Sequence, residues 1–263
     1  MTEKILSVKD GCFSFAEKQV LHDINLEINK HDFVGIIGPN GAGKSTLLRI
    51  LAGILNNTAG EVKLHGQNIS AYDRKKLAAM LAYVPQSVDI AFPFMVKEVL
   101  NMGRFPLMKG ILDTGSDDSE IIRQVLVEMD LQELKNRPYN SLSGGEKQRT
   151  IIASALVQQA EVILLDEPTS ALDLKHQHLV LEYLVSLQKE KDAAVIIVTH
   201  DINLASRFCS RLIMLDEGRI LADGTPDEVL QFSLIQQVYG VKVYIDVNPF
   251  TKSVYVLPYE LGG

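Results

Sequence analysis

The chain has 263 residues and 46 % hydrophobic content, enough for one large α/β domain or a domain with an inserted lobe. Aromatic residues are 6 % of it and Trp is absent, so Val, Ile, Leu and Ala must build the core. The formal net charge is −7, and no Lys/Arg cluster supplies the basic face that nucleic-acid phosphates demand, so nucleic acid is not expected as a partner.

In chain order, the opening Met1–Asp10 carries too much charge for a signal peptide. Ile5–Phe15 is rich in β-formers, and Ile24, Leu26 and Ile28 alternate with polar residues as in a half-buried strand. Phe33–Ile37 is a short apolar strand running into a glycine-rich turn, and Lys44–Leu55 has Leu47, Leu48, Leu51 and Leu55 on helical spacing. From about Gln86 to Leu142 the pattern is helical, with helices over Lys97–Met102 and Asp118–Leu134 and a loop over Gly103–Asp117. This block interrupts the strand pattern and reads as a lobe inserted in an α/β core. A helix (Glu146–Gln159), a buried strand (Val162–Asp166), a helix (Asp173–Lys189) and a strand (Ala194–Thr199) follow. Strands alternating with helices predict a mainly parallel sheet covered on both faces. Cys12 and Cys209 belong to no Cys-x-x-Cys pair and read as small buried hydrophobes in a reducing compartment. No apolar run approaches the ~18 residues needed to cross a bilayer. The expectation is a cytosolic chain whose membrane role, if any, comes through a partner.

Gly38-Pro39-Asn40-Gly41-Ala42-Gly43-Lys44-Ser45, followed by Thr46, matches G-x-x-x-x-G-K-[ST] between a strand and a helix. Glycines let backbone N–H groups turn inward around an anion at a helix N-terminus. Lys44 can reach the β- and γ-phosphates, and the Ser45 hydroxyl can ligate Mg²⁺. The motif identifies a nucleoside triphosphate site without naming a family. Val162–Asp166 ends in Asp166-Glu167. Asp166 fits a second Mg²⁺ anchor, and Glu167, on the other side of the strand, could act as general base toward the attacking water. An apolar run ending in Asp-Glu is by itself common.

Leu142-Ser143-Gly144-Gly145-Glu146, then Lys147-Gln148-Arg149, decides the family. It resembles the signature of the ATP-binding-cassette (ABC) ATPases, and it lies about 20 residues before the Asp-Glu strand, as in that family. The resemblance implies the following assignments. Ser143, Gly144 and Gly145 donate to the γ-phosphate held by the opposite subunit of a head-to-tail dimer. Gln86, in Tyr83-Val-Pro-Gln, is the Q-loop glutamine that contacts Mg²⁺ and the water. Ser170-Ala-Leu-Asp173 is the D-loop that crosses the subunit boundary, and His200 is the switch histidine that senses the γ-phosphate. Phe15 is the aromatic that stacks on adenine, although an ordinary core Phe at a strand end accounts for it nearly as well. Stacking without hydrogen-bond readout would admit GTP as well. The resemblance spans about residues 3 to 240 and breaks no catalytic motif, so an ATPase using ATP and Mg²⁺ is expected. The expected fold is an α/β P-loop NTPase of ABC type: a mainly parallel core sheet, an antiparallel β-rich N-terminal part and a helical lobe. The ATPase domain would occupy 1–240, its lobe about 87–142, and a β-hairpin extension 241–263.

His176 and His178 lie two apart near a predicted helix start and read as solvated helix residues, not metal ligands. His22, His31 and His65 sit in polar turns or strand edges and support no role.

A cassette without membrane spans can energise a multi-subunit transporter, or be a soluble ABC ATPase such as those of iron–sulfur assembly; export is a further alternative. Phe92–Pro106 resembles the matching segment of importers for iron–siderophores, haem and cobalamin. In that family it lines the groove receiving a coupling helix from the membrane subunit. Met95, Met102 and Met108 with Phe92, Phe94 and Phe105 would supply an adaptable apolar groove there, although a small lobe core could claim half of them. Alternating Val241, Val243, Ile245 and Val247, the Asn248-Pro249 turn, and Val254 and Val256 predict a terminal hairpin, read as a cap on the core. The implied partners are a second copy, polytopic permease subunits and, indirectly, a substrate-binding protein. The implied location is the cytoplasmic face of the membrane.

Overall fold

The computed structural model describes residues 3–108 and 116–261. The chain begins with strands β1 (Lys4–Phe15), β2 (Lys18–Asn29) and β3 (Phe33–Ile37), helix α1 (Lys44–Leu51), and strands β4 (Ala59–Leu64) and β5 (Gln67–Asn68). It continues through α2 (Arg74–Met80), β6 (Leu81–Val84), α3 (Val96–Arg104), α4 (Ser116–Glu128), α5 (Gly144–Leu156), β7 (Val162–Asp166) and α6 (Leu174–Glu190). The last third holds β8 (Ala194–Val198), α7 (Ile202–Phe208), β9 (Arg211–Asp216), β10 (Arg219–Gly224), α8 (Pro226–Val229), α9 (Phe232–Tyr239), β11 (Val241–Val247) and β12 (Val254–Leu261). Two compact units result, one made of the chain up to Ala71 together with the chain from Ala194 onward, the other of Tyr72–Ala193.

In the first unit, β2-β1-β4-β5 form an antiparallel sheet. Leu21, Ile24, Leu26 and Ile28 are all buried on β2, confirming the alternation read from the sequence. Strand β3 pairs in parallel with β8 on one side and β9 on the other, and β10 adds antiparallel to β9. Every residue of β3 and β8 is buried, which is why both read as continuous apolar runs and not as alternating ones. Arg211 ties three strands: its guanidinium donates to Asp223 at 2.6 and 2.7 Å and to the Glu27 carbonyl at 2.8 Å. Cys209 is buried, and burial pushes its thiol pKa up. Cys12 departs from the expectation: it is only half-buried, with Asp23 N–H donating to its sulfur at 3.4 Å.

Strands β11 and β12 form an antiparallel hairpin whose inner Val243, Val254 and Val256 are buried while Tyr244 and Leu257 face outward. It is pinned to α7. The Asn203 side chain accepts from Val256 N–H at 2.8 Å and donates to its carbonyl at 3.1 Å, and Ser206 donates to the Val254 carbonyl at 2.6 Å.

In the second unit, β6 and β7 are parallel and helices α3 to α6 surround them in sequence. Helix bounds shift from the sequence reading for local reasons. Helix α1 stops at Leu51, where Ala52 and then Gly53 at φ 66° leave the helix. Ser143 and Asp173 become N-caps, so α5 starts before Glu146 and α6 after Asp173. The loop expected over Gly103–Asp117 is shorter than predicted: α3 runs to Arg104, a 3₁₀ turn spans Phe105–Leu107, and α4 begins at Ser116. Residues 109–115 of that segment lie outside the described residues.

Gly103 and Arg104 explain why α3 survives its glycine. A Cβ on Gly103 would lie 1.8 Å from the Ser154 carbonyl, so only glycine lets α3 approach α5 this closely. The next residue then inserts a buried guanidinium. Arg104 donates to Asp118 at 2.8 and 2.6 Å, to the Val157 carbonyl at 2.6 Å and to Gln159 at 3.3 Å, joining α3, α4 and the end of α5. Gly103→Ala should therefore cost about 1–3 kcal/mol by overpacking. Calorimetry should show a lower Tm, and an unchanged Tm would mean that the two helices are not held at this distance.

Candidate functional site

The phosphate loop leaves the buried strand β3 and enters α1. Gly38 has φ 144°, and a Cβ there would sit 1.9 Å from the Leu215 carbonyl, so this position excludes every side chain. The Gly218 N–H donates to the Ala42 carbonyl at 3.1 Å, bracing the loop from the β9–β10 turn. Lys44 is buried, and its ammonium donates to the Gly38 and Pro39 carbonyls at 2.8 Å each. The cation is thus folded over the loop's own backbone, while Asn40 and Gly41 lie exposed at its rim. Ser45 and Thr46, in the first turn of α1, are half-buried.

The same unit carries three further groups. Phe15, at the end of β1, is 50 % exposed and meets Phe13 edge to face at 4.7 Å between centroids. A wholly core-filling Phe would not leave half its ring in solvent. His200 is exposed just past β8, where Asp201 caps α7 by accepting from Leu204 N–H at 2.9 Å. Tyr239 was not foreseen. Its hydroxyl is buried without a hydrogen-bond partner among the described residues, and burial pushes its phenol up to about 12.

The second unit holds the carboxylates. Asp166, last in the buried β7, is 1 % exposed, and Glu167 follows with φ 49°, a left-handed conformation costly for a residue with a Cβ. The turn that holds it is closed by the Ser170 hydroxyl, donating to the Glu167 carbonyl at 3.0 Å. Gln86 is exposed beyond β6 and donates to the Glu167 carboxylate at 2.9 Å. The structure therefore brings together two residues 81 positions apart that the sequence reading assigned to the same water.

Ser143 and Glu146 form a reciprocal cap on α5. The Glu146 carboxylate accepts from Ser143 N–H at 2.7 Å, and the Ser143 hydroxyl accepts from Glu146 N–H at 3.4 Å. Ser143 and Gly144 are exposed. Gly144 lacks a positive φ, and a Cβ there would meet nothing within 4 Å. Its own fold gives no reason for glycine at this helix start. Gly145 differs, since its Cβ would come within 3.1 Å of the Ala171 carbonyl in the D-loop segment.

Asp173 caps α6 by accepting from His176 N–H at 2.9 Å, and this bond holds its carboxyl below the usual range. His176 corrects the sequence reading. Its side chain is only 18 % exposed, and its ring lies between two carboxylates, Asp173 at 2.8 Å and Asp130 at 3.3 Å. The Asp173-x-x-His176 spacing was the available signal for the first contact; Asp130 is too remote in sequence to have been found.

Of the residues expected to form an apolar groove, Met102, Phe105 and Met108 line a cleft of about 470 Å³ with Glu98 and Asn101. Met95 instead caps α3, while Phe92, 69 % exposed, stacks toward Phe94 at 6.0 Å. Among the described residues no helix is long and apolar enough to cross a membrane.

The phosphate loop, the Asp-Glu strand end and the capped Ser-Gly-Gly helix are the parts of an ATP-hydrolysing cassette, and the family model for the ABC transporter matches residues 21–170. The chain belongs to the ABC transporter family of ATP-binding proteins. The hemin import ATP-binding protein HmuV of Streptomyces coelicolor is 38 % identical to it, over 92 % of this chain and 86 % of that one. The iron(3+)-hydroxamate import ATP-binding protein FhuC of Bacillus subtilis is 36 % identical, over 97 % and 95 %. Among solved structures, an inward-facing transporter described as of metal-chelate type matches with TM-score 0.82 and 28 % identity, covering 98 % of each chain.

Because no described residue of its own chain constrains Gly144, Gly144→Ala should leave Tm unchanged or slightly raised, Ala being the better helix former by up to about 1 kcal/mol. ATP hydrolysis should nevertheless fall at least tenfold. A variant that hydrolyses ATP normally would show that no phosphate approaches this position.

Proposed function

We propose that this chain is the ATP-hydrolysing subunit that powers an ABC importer of metal chelates, and that its nucleotide is closed in by the signature of a second copy. The open face of Gly144 carries the two-chain reading. A glycine that satisfies no strain and no contact at home is explained by close approach of something from outside. An exposed capping Ser143 and the α5 N-terminus beside it suit a phosphate.

In this reading, backbone N–H groups from Gly38 to Thr46 and the Lys44 ammonium hold the phosphates, and the half-exposed Phe15 stacks on the base. Ser45, Gln86 and Asp166 offer only oxygen donors for a cation, the set that Mg²⁺ prefers when phosphate oxygens and waters complete its shell. The Gln86 amide suits that role because its nitrogen already serves Glu167, which leaves the carbonyl oxygen for the metal. When bound, Mg²⁺ would neutralise charge on the transferring phosphoryl group. Glu167, oriented by Gln86 and by its strained turn, takes the proton from the attacking water. His200 contacts the γ-phosphate, and Asp173 of the D-loop reaches the partner.

Import is supported by relatives whose names specify import. Haem and iron-hydroxamate are the cargoes named for two relatives of nearly equal identity, so the class proposed is the metal chelate and not one member of it. The cleft at Met102, Phe105 and Met108 would seat the permease, placing the cassette at the cytoplasmic face of the membrane. A substrate-binding protein would deliver cargo from the other side. Residues 1–240 form the ATPase domain in this proposal, about 87–142 its helical lobe and 241–263 an extension.

Glu167→Gln keeps the shape of the side chain but cannot accept a proton. Turnover should drop about 10²- to 10⁴-fold with ATP binding retained. Size-exclusion chromatography with ATP should then show a dimer that the wild-type protein does not accumulate. Normal hydrolysis by this variant would remove Glu167 from the base role.

A further inference from the structure

His176 touches no part of the machinery proposed above except Asp173 among the described residues, yet its side chain is only 18 % exposed within a charged cluster. Asp130, just past the end of α4 with φ 53°, is its far partner. Lys175 also reaches the Asp130 carboxylate, at 2.9 Å, and with His176 holds that carboxyl below the usual range. From the other direction Arg149, on the signature helix α5, donates to the Met129 and Asp130 carbonyls at 2.7 Å each. Three elements thus converge on Asp130: the end of α4, the signature helix through Arg149, and the D-loop helix α6 through His176 and Lys175.

The ring chemistry narrows the role. A neutral imidazole has one N–H donor and one lone pair, whereas ionised carboxylates only accept. Both ring nitrogens stand at hydrogen-bond distance from carboxylate oxygens, so the ring bridges Asp173 and Asp130. The contact to Asp173 also differs from a plain cap, because the carboxylate accepts from His176 twice, through its backbone N–H and through Nδ1.

We infer that His176 is a positioning residue for ATP hydrolysis: it clasps the D-loop Asp173 to Asp130, so that the D-loop and the signature helix move as one piece toward the partner's nucleotide. This rests on the reading of Asp173 as the D-loop residue that crosses to the second copy. The clasp spans 46 residues of sequence and is made of one imidazole and two carboxylates, the carboxylates more than half exposed. Its contribution to folding is accordingly small. What it fixes is the direction of the Asp173 side chain.

Two single variants and their combination test this by steady-state MgATP hydrolysis with the full chain. His176→Phe keeps a ring of similar size and removes both donors. Asp130→Gly removes the far anchor, and glycine suits the positive φ of this position, so the backbone is not strained. Each should lower kcat about three- to tenfold with KM for ATP changed less than twofold, since the phosphate loop is untouched. The double variant should be no worse than either single one, because both break the same link. Losses that multiply in the double variant, or a loss carried by KM or by Tm alone, would overturn the clasp. Asp173→Ala separates this from the underlying reading. If it leaves kcat unchanged, the D-loop assignment fails. If it lowers kcat while His176→Phe and Asp130→Gly do not, only the clasp fails.

Discussion

The phosphate loop depends on a backbone that must curl where no side chain can fit. Gly38 sets this constraint, with φ 144° and the Leu215 carbonyl 1.9 Å from where a Cβ would stand. Around that point the first unit is built in register. Strand β3 delivers the loop, β8 and β9 fix β3 from both sides, and the turn after β9 braces Ala42 through Gly218. The loop is therefore held in shape by its own strand and turn neighbours, with the Lys44 ammonium bonded to its carbonyls.

The second unit solves a different problem. Its signature helix must present an exposed N-terminus without fraying, and its acidic turn must hold Glu167 in a conformation that a free chain avoids. Both are achieved by polar contacts at the helix ends: the Ser143–Glu146 cap, the Ser170 bond to the Glu167 carbonyl, and the Asp173 cap on α6. Deeper in, the guanidiniums of Arg104 and Arg149 tie α3 and α4 to α5 through backbone carbonyls. Burying such a cation costs several kcal/mol unless its donors are satisfied, and among the described residues Arg149 Nε finds no partner.

Much of this was legible in the sequence because it is local. The phosphate loop, the Asp166-Glu167 strand end and the signature are contiguous, and the helices and strands beside them carry clear apolar periodicity. Long-range contacts were not legible. Nothing in the spacing tells that Asp130 faces His176, and a pair of histidines near a helix start looks solvated until Asp130, past the end of α4, is seen to bond one of them. Gly103 read as a loop residue because glycine usually breaks a helix; the Ser154 carbonyl that demands it lies 51 residues away. Cys12 was expected inside from its residue type, but its strand leaves it beside the exposed Asp23.

In the proposed dimer each nucleotide is enclosed by two chains, the phosphate loop of one and the signature of the other. Closed two-fold symmetry then creates two equivalent sites per dimer. The most direct measurement mixes two inactive variants, Lys44→Ala and Ser143→Arg, and follows ATP hydrolysis against mixing ratio. In a mixed dimer one site carries both lesions and the other carries none. Hydrolysis should therefore reappear on mixing and rise with the fraction of mixed dimer, although each variant alone is nearly inactive. If Ser143 served its own chain's phosphate loop, every chain in the mixture would hold a broken site. Activity that stays at the single-variant level at every ratio would contradict the two-chain site.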